Sequence, residues 1–239
     1  MKIHIVEDPE IVRAVQDSIQ NSPHKDYLDR VSNEILSQHT HYLRGGAPRD
    51  AIHRLLYGGS RTITDFDFLI DDSEEKVKPE NLFNEEDNVT INKFGTATWR
   101  PRQDLNFRIA ISTFSNANPI LKGENHQPSL ELSMTTCDFN TGSLAYCMNT
   151  RELWDYNGIK GLEKREIEMI YQLQSPFVYM TRMIGHAMKL GFNLGPKAKA
   201  FIQEHYTSDM NPKIIEYLEQ HGNSEQSQPI IKRLETEAK

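Results

Sequence analysis

Two aspartates one residue apart, Asp65 and Asp67 in "TDFDFLI", are the residues of this sequence best suited to chemistry. On a strand, positions i and i+2 project from one face, so both carboxylates would be offered to the same divalent ions. Hard cations such as Mg²⁺ or Mn²⁺ prefer carboxylate and phosphate oxygens. Two metals held in this way would activate an attacking hydroxyl and neutralise a leaving pyrophosphate. The simpler alternative is a pair of surface acids on an exposed strand face.

Upstream, Gly45 and Gly46 follow the strand candidate "THYLR" and precede a helix expected from Pro48 to Tyr57. Proline suits a first helical turn. Backbone N–H groups in such a turn can approach a triphosphate with no side chain in the way. Arg49 is placed either to reach a phosphate or to pair with Asp50. A plain tight turn is the alternative for the glycines. Turn and D-x-D together are more specific than either part.

The elements that must position these residues follow from periodicity. Residues 8–38 read as two short helices: Ile11, Val12, Val15 and Ile19 have helical spacing, and "NSPH" separates them from Tyr27, Leu28, Val31 and Ile35. "DFDFLI", "VTINKFGTATWR" and "LNFRIAISTF" read as strands, with "SLELSM" as a further candidate. From about Thr136 the expectation is helical again, through "CDFNTGSLAYCM", "GLEKREIEMI" and "PFVYMTRMIGHAMKLGF". The last of these is apolar around most of its circumference and should be buried against other helices. The C-terminal "HGNSEQSQPIIKRLETEAK" is polar and is expected at the surface or frayed. The fold class is then α+β, a mixed-sheet unit followed by a helical one. The expected parts are an N-terminal helical extension (1–37), a sheet-bearing core (38–135) and a helical completion (136–239).

Composition narrows the function classes. The 239 residues are 37% hydrophobic and 26% charged, an ordinary soluble balance, and allow one large domain or two small ones. A net charge of -7 without a long basic run argues against an extended electrostatic grip on nucleic acid. The N-terminus lacks an apolar leader, and no run reaches the ~18 apolar residues of a membrane helix, so a cytoplasmic location is expected. Cys137 and Cys147 fit buried free thiols in a reducing compartment. His39 and His41 would share a strand face but have no third ligand nearby. Lys160, Lys164, Arg165, Lys189, Lys197 and Lys199 fit either an RNA-facing groove or solvated helix faces. Trp99 and Trp154 fit core or interface anchors.

The run "RGGAPRDAIHRLL" followed by "TDFDFLI" resembles the head of the class II CCA-adding tRNA nucleotidyltransferase and bacterial poly(A) polymerase family, whose pattern is G-G-x-x-R-D, a short helix, then D-x-D. Downstream, "KFGTATWR", "CDFNTGSLAY", "LWDYNGIKGLEKREI" and "PFVYMTRMIGHAMKLGFNLGP" are similar, in the same order, to the family's F-G-T strand, its R-R-D segment, its D-P-x-x-G stretch and its neck helix. The resemblance covers roughly residues 40 to 200. It implies a polymerase-β-like nucleotidyltransferase head with a neck. It implies an enzyme that transfers NMP from an NTP, ATP or CTP, to a hydroxyl acceptor such as a tRNA-like RNA 3′ end.

Carried over residue by residue, Asp65 and Asp67 match the metal-binding carboxylates, with Mg²⁺ or Mn²⁺ as the implied cofactor. Gly45, Gly46, Arg49 and Asp50 match the phosphate-side turn. Asp138 matches the Asp of R-R-D near the nucleotide sugar, and Arg182 matches a neck-helix arginine facing the nucleotide. A helix cap is the alternative for Asp138 and a solvated charge for Arg182.

The sequence departs from the pattern in several places. Thr136 and Cys137 stand where the family has two arginines, and "FRIAI" lacks a carboxylate, the nearest being Asp104. Tyr179 stands where another neck arginine is expected, and "NPKIIEYLEQ" occupies the region of E-D-x-x-R without its groups. The family's tRNA-holding body and tail have no counterpart in this sequence, so a protein partner or a homo-oligomer is expected to complete the site. These departures motivate an alternative: an impaired nucleotidyltransferase fold that binds nucleotide or a protein without turnover.

Overall fold

The computed structural model describes residues 2–59, 63, 65–84, 87–104, 107–172 and 174–239, and the backbone alone of Asp65 and Asn118. Internal contacts divide the chain into two compact units, Met1–Cys137 with Gly142–Ile159, and Asp138–Thr141 with Lys160–Lys239.

The first unit is built on a mixed sheet. Its strands are β1 (His4–Ile5), β2 (His41–Arg44), β3 (Asp65–Ile70), β4 (Val89–Ile91), β5 (Ala97–Trp99), β6 (Arg108–Thr113), β7 (Leu144–Cys147) and β8 (Leu153–Asp155), in the order β1-β8-β7-β2-β3-β6-β5-β4. Among these strands β3 and β6 pair in parallel and the other neighbours antiparallel.

One face of the sheet is the core. Leu43, Phe66, Phe68, Ile109 and Ile111 alternate along their strands and are buried to 1% exposure or less. Helices α1 (Pro9–Gln20) and α3 (Gly46–Tyr57) pack together, and α3 also packs on β2, β3 and β7. Helix α1 starts where the Asp8 carboxylate accepts from the Glu10 and Ile11 N–H groups, with Pro9 in its first turn. It buries Ile11, Val15 and Ile19, as their spacing requires. Helix α2 (Lys25–Asp29) and a π-helical turn over Arg30–Ile35 follow. There Tyr27 meets Trp99 edge-on, the Arg30 guanidinium lies over the Trp99 ring, and Phe107 stacks on Tyr27 and His24.

The opposite face is apolar at one end. Tyr42, Leu69, Phe114 and Cys147 pack there with Leu130 and Met134 of α5 (Leu130–Thr135). The same face continues along β2 and β3 to Arg44 and Asp67. A short helix α4 (Asn118–Leu121) precedes α5.

The second unit centres on α7 (Pro176–Leu190). It buries Val178, Tyr179, Met180, Thr181, Met183, Ile184, Ala187 and Leu190, the all-round burial its sequence predicts, and packs against α8 (Pro196–His205), α9 (Asn211–Gln220) and α10 (Ser227–Glu237). β9 (Glu166–Ile167) pairs in parallel with β10 (Asn193–Leu194). Helix α6 (Gly158–Lys164) contains the division between the units. Among the described residues no helix is long and apolar enough to cross a membrane.

Five sequence expectations are corrected. "VTINKFGTATWR" is a hairpin of two strands, β4 and β5, because Gly95 at φ 78° turns the chain between them. "GLEKREIEMI" is helical only to Lys164, since Arg165 at φ 53° ends α6 and Glu166–Ile167 form β9. "SLELSM" is the helix α5: Ser129 accepts from the Leu132 N–H as its N-cap, and Leu130, Ser133 and Met134 bury one helical face. "CDFNTGSLAYCM" is a 3₁₀ turn over Asn140–Gly142 followed by β7, because Leu144 to Cys147 are all buried and leave no strand alternation to read. The polar C-terminus is not frayed, since α10 buries Ile230, Ile231 and Leu234 within the second unit.

Candidate active site

The D-x-D strand and the glycine turn meet on neighbouring strands. β2 runs antiparallel to β3 with Arg44 opposite Asp67, and the chain turns at Gly45 directly beyond. Gly45 has φ 65° and ψ -110°, a conformation that a side chain strains. A Cβ built at Gly45 would lie 3.9 Å from Asp67 Oδ2 and 3.9 Å from the Gly142 carbonyl oxygen. The turn therefore lies beside the Asp67 carboxylate, with space between them for one added methyl group at ordinary van der Waals distance. Asp65 opens β3, and its side chain lies outside the described residues.

The turn spends its donors in a definite way. The Gly45 N–H donates to the Leu144 carbonyl at 3.0 Å, tying the turn to β7. The Arg49 N–H donates to the Gly45 carbonyl and closes the first turn of α3. Pro48 has no N–H, so Gly46 and Ala47 carry the N–H groups at the open end of a twelve-residue helix. Those groups and the helix dipole favour an anion there. Arg49 takes the second of its two expected roles: it is 4% exposed, and its Nε donates to Asp50 Oδ1 at 2.6 Å. The pair anchors α3 from within.

Asp138 and Arg182 are brought together in the second unit. Arg182 Nη1 lies 2.6 Å from Asp138 Oδ2, with the carboxylate buried and the guanidinium about one-third exposed. The Asp138 carbonyl accepts from the Tyr179 hydroxyl at 2.6 Å and from the Ile170 N–H at 3.1 Å. Burial, then the Asp138 carboxylate, hold the Tyr179 hydroxyl far above its ordinary pKa, so it is a neutral donor where a cation was expected. Thr136 Oγ1 donates to Leu132 O at 2.7 Å and Cys137 Sγ to Ser133 O at 3.4 Å, so both turn back onto α5.

Other candidates resolve into structural roles. Asp104 accepts from the Phe107 N–H and lies 3.6 Å from His24 Nδ1. The buried His41 ring contacts the His39 carbonyl through Nδ1 at 2.9 Å and Ser32 Oγ through Nε2 at 2.7 Å. Nδ1 therefore carries the proton and Nε2 accepts, which occupies both ring nitrogens. Trp99 is 2% exposed, a core anchor.

Sequence reasoning missed two residues, Arg44 and Arg108. β6 pairs with β3 so that Arg108 is in register with Asp65 and Ala110 with Asp67. The alternation of exposed Arg108 with buried Ile109 was readable from "FRIAI"; the parallel register that sets Arg108 against the D-x-D strand was not.

Among the described residues, which leave out the Asp65 side chain, no three His, Cys, Asp or Glu side chains form a metal-holding cluster. The donor set that is described suits a hard cation: Asp67 offers a half-buried carboxylate beside a turn that side chains do not crowd.

The fold recurs in solved structures. A CCA-adding enzyme solved with ATP superposes with a TM-score of 0.63 at 17% identity, over 99% of this chain and 54% of that one. The apo form of a CCA-adding enzyme gives 0.65 at 16% identity, over 99% and 55%. This chain has the CCA-adding-enzyme fold. The Thermotoga maritima CCA-adding enzyme complexed with tRNA gives 0.63 at 17% identity, again over 99% and 55%. The chain spans about half the length of these CCA-adding enzymes. No protein-family model matches the sequence, and no curated protein gives a significant match.

Proposed function

We propose that the chain is a template-independent nucleotidyltransferase that moves NMP from an NTP to a hydroxyl acceptor, an RNA 3′ end of the tRNA type. The observation that carries this reading is the placement of the Gly45 turn beside the Asp67 carboxylate on adjacent strands. It sets an anion-favouring helix N-terminus beside a carboxylate that suits a divalent ion. The CCA-adding fold, found in enzymes solved with ATP, with CTP and with tRNA, supports the same substrates for this chain.

Asp65 and Asp67 would hold Mg²⁺ or Mn²⁺, which when bound supplies Lewis acidity for the attacking hydroxyl and charge for the leaving pyrophosphate. The Gly46 and Ala47 N–H groups bind phosphate oxygens at the α3 terminus, while the Arg49–Asp50 pair holds that terminus in place. On the family resemblance alone, Asp138 would lie near the nucleotide sugar and Arg182 would face the nucleotide. The expected site of action is the cytoplasm.

The test is incorporation of each labelled NTP into total RNA with Mg²⁺ or Mn²⁺. Wild type should label RNA, while Asp65→Ala and Asp67→Asn should each lose about a thousandfold or more with unchanged circular dichroism. Equal labelling by wild type and variants would sink the mechanism. The uncharged Thr136 and Cys137, turned onto α5, favour a second reading of nucleotide binding without turnover. Tight NTP binding with no product from any NTP and acceptor would select it.

A further inference from the structure

The sheet face that carries Asp67 also carries two arginines. Arg44 stands opposite Asp67 on β2 and directly precedes the Gly45 turn. Arg108 stands on β6, two residues before Ala110, which is itself in register with Asp67. Side chains opposite one another on paired strands share a face, with Cβ atoms about 4.5–5.5 Å apart, and alternate residues along a strand share it too. Arg44, Asp67 and Arg108 therefore project to one side of the sheet. Burial agrees: Ile109 and Ile111 are fully buried on the far side, while Arg108 is exposed and Arg44, Asp67 and Ala110 are half-buried.

A polyphosphate brought beside a half-buried carboxylate needs cations to offset the repulsion. Arg49 is buried and engaged with Asp50, and Thr136 and Cys137 carry no charge. Guanidinium forks match phosphate oxygens two at a time, and Arg44 and Arg108 flank the carboxylate from the strands on either side. We propose that Arg44 and Arg108 are the cations that hold the polyphosphate of the nucleotide, one at the root of the glycine turn and one on β6. The assignment rests on the nucleotide-binding reading of the Gly45–Asp67 site and names the residues that give it a preference for triphosphate over monophosphate.

The probes are ATP, AMP and inorganic tripolyphosphate, titrated by calorimetry into the full chain with Ca²⁺ in place of Mg²⁺. Wild type should bind ATP and tripolyphosphate about tenfold or more tighter than AMP. Arg44→Ala and Arg108→Ala should each lose about tenfold or more for ATP and tripolyphosphate and leave AMP within about twofold. Arg108→Lys should recover part of the loss by retaining the charge, and Thr136→Ala should behave as wild type. Unchanged ATP affinity in both alanine variants overturns the assignment, as does an equal loss for AMP, which marks a general disturbance of the site. Wild type binding none of the three probes overturns the nucleotide-binding reading itself. RNA labelling by wild type together with unchanged affinities in the arginine variants overturns only the role of the arginines.

Discussion

At the residue scale, the turn at Gly45 separates backbone from side-chain requirements. A Cβ there would meet its nearest neighbours at 3.9 Å, so space is available, yet φ 65° with ψ -110° suits glycine alone. Gly46 has ordinary helical geometry, and a Cβ would meet Arg49 Nη2 at 3.6 Å, a normal contact. Gly45→Ala should therefore cost about 1–3 kcal/mol in urea unfolding, while Gly46→Ala should cost well under about 1 kcal/mol. Equal costs would show that the strain does not reside in the Gly45 backbone. The two glycines look alike in the sequence, and only the dihedral angles tell them apart.

At the element scale, Asp155 ends β8 and starts α6. It is 4% exposed, and its Oδ1 accepts from the Gly158 N–H at 2.6 Å and the Ile159 N–H at 3.3 Å. Burial raises its pKa above the ordinary carboxylate value of 3.8, against the opposing pull of those N–H groups and of His4, 3.9 Å away. A folded-state pKa above the unfolded one means a contribution that is complete below about pH 3.8 and is lost as pH rises through the folded value. Asp155→Asn keeps the accepting oxygen and removes the charge. The stability of the variant relative to wild type should therefore climb as pH rises from the lower value and then level off towards neutrality, read by urea unfolding across the acid range. A flat or falling difference would show that the buried charge is fully compensated.

Elements also decide what the sequence could disclose. β3 was legible because Phe66 and Phe68 are buried alternately with Asp67, and α7 because it is apolar all round. β7 was not, because burial on both faces erases its alternation. α5 was not, because Leu130, Leu132 and Met134 fit period two as well as a single helical turn. The same limit governs the site. The glycine turn and D-x-D strand are local patterns, whereas Arg44 and Arg108 acquire meaning only through pairing registers that local sequence does not encode.

At the scale of the molecule, the chain passes between its two units after Cys137, after Thr141 and after Ile159, so neither unit is one contiguous segment. The visit made by Asp138–Thr141 ties the second unit together. Asn140 donates to the carbonyls of Glu166 and Glu168 and accepts from the Glu168 N–H, while Phe139, 4% exposed, packs its ring against Tyr179 and His186. Asp138 adds the Arg182 ion pair and the acceptor for the Tyr179 hydroxyl. Removing these residues would leave the Tyr179 hydroxyl and the Ile170 N–H without the Asp138 carbonyl that accepts from both and open an aromatic gap beside α7, losses of about 1–3 kcal/mol per buried polar group and about 3–5 kcal/mol for the ring. Such losses are comparable to the whole stability of a small domain. A fragment of residues 160–239 should consequently keep part of its helix but lose near-ultraviolet dichroism and cooperative melting, although it holds all the sequence from Lys160 onward. A fragment that melts cooperatively within a few degrees of the full chain would show that the helices of the second unit suffice alone, and that the crossing segment contributes little to its core.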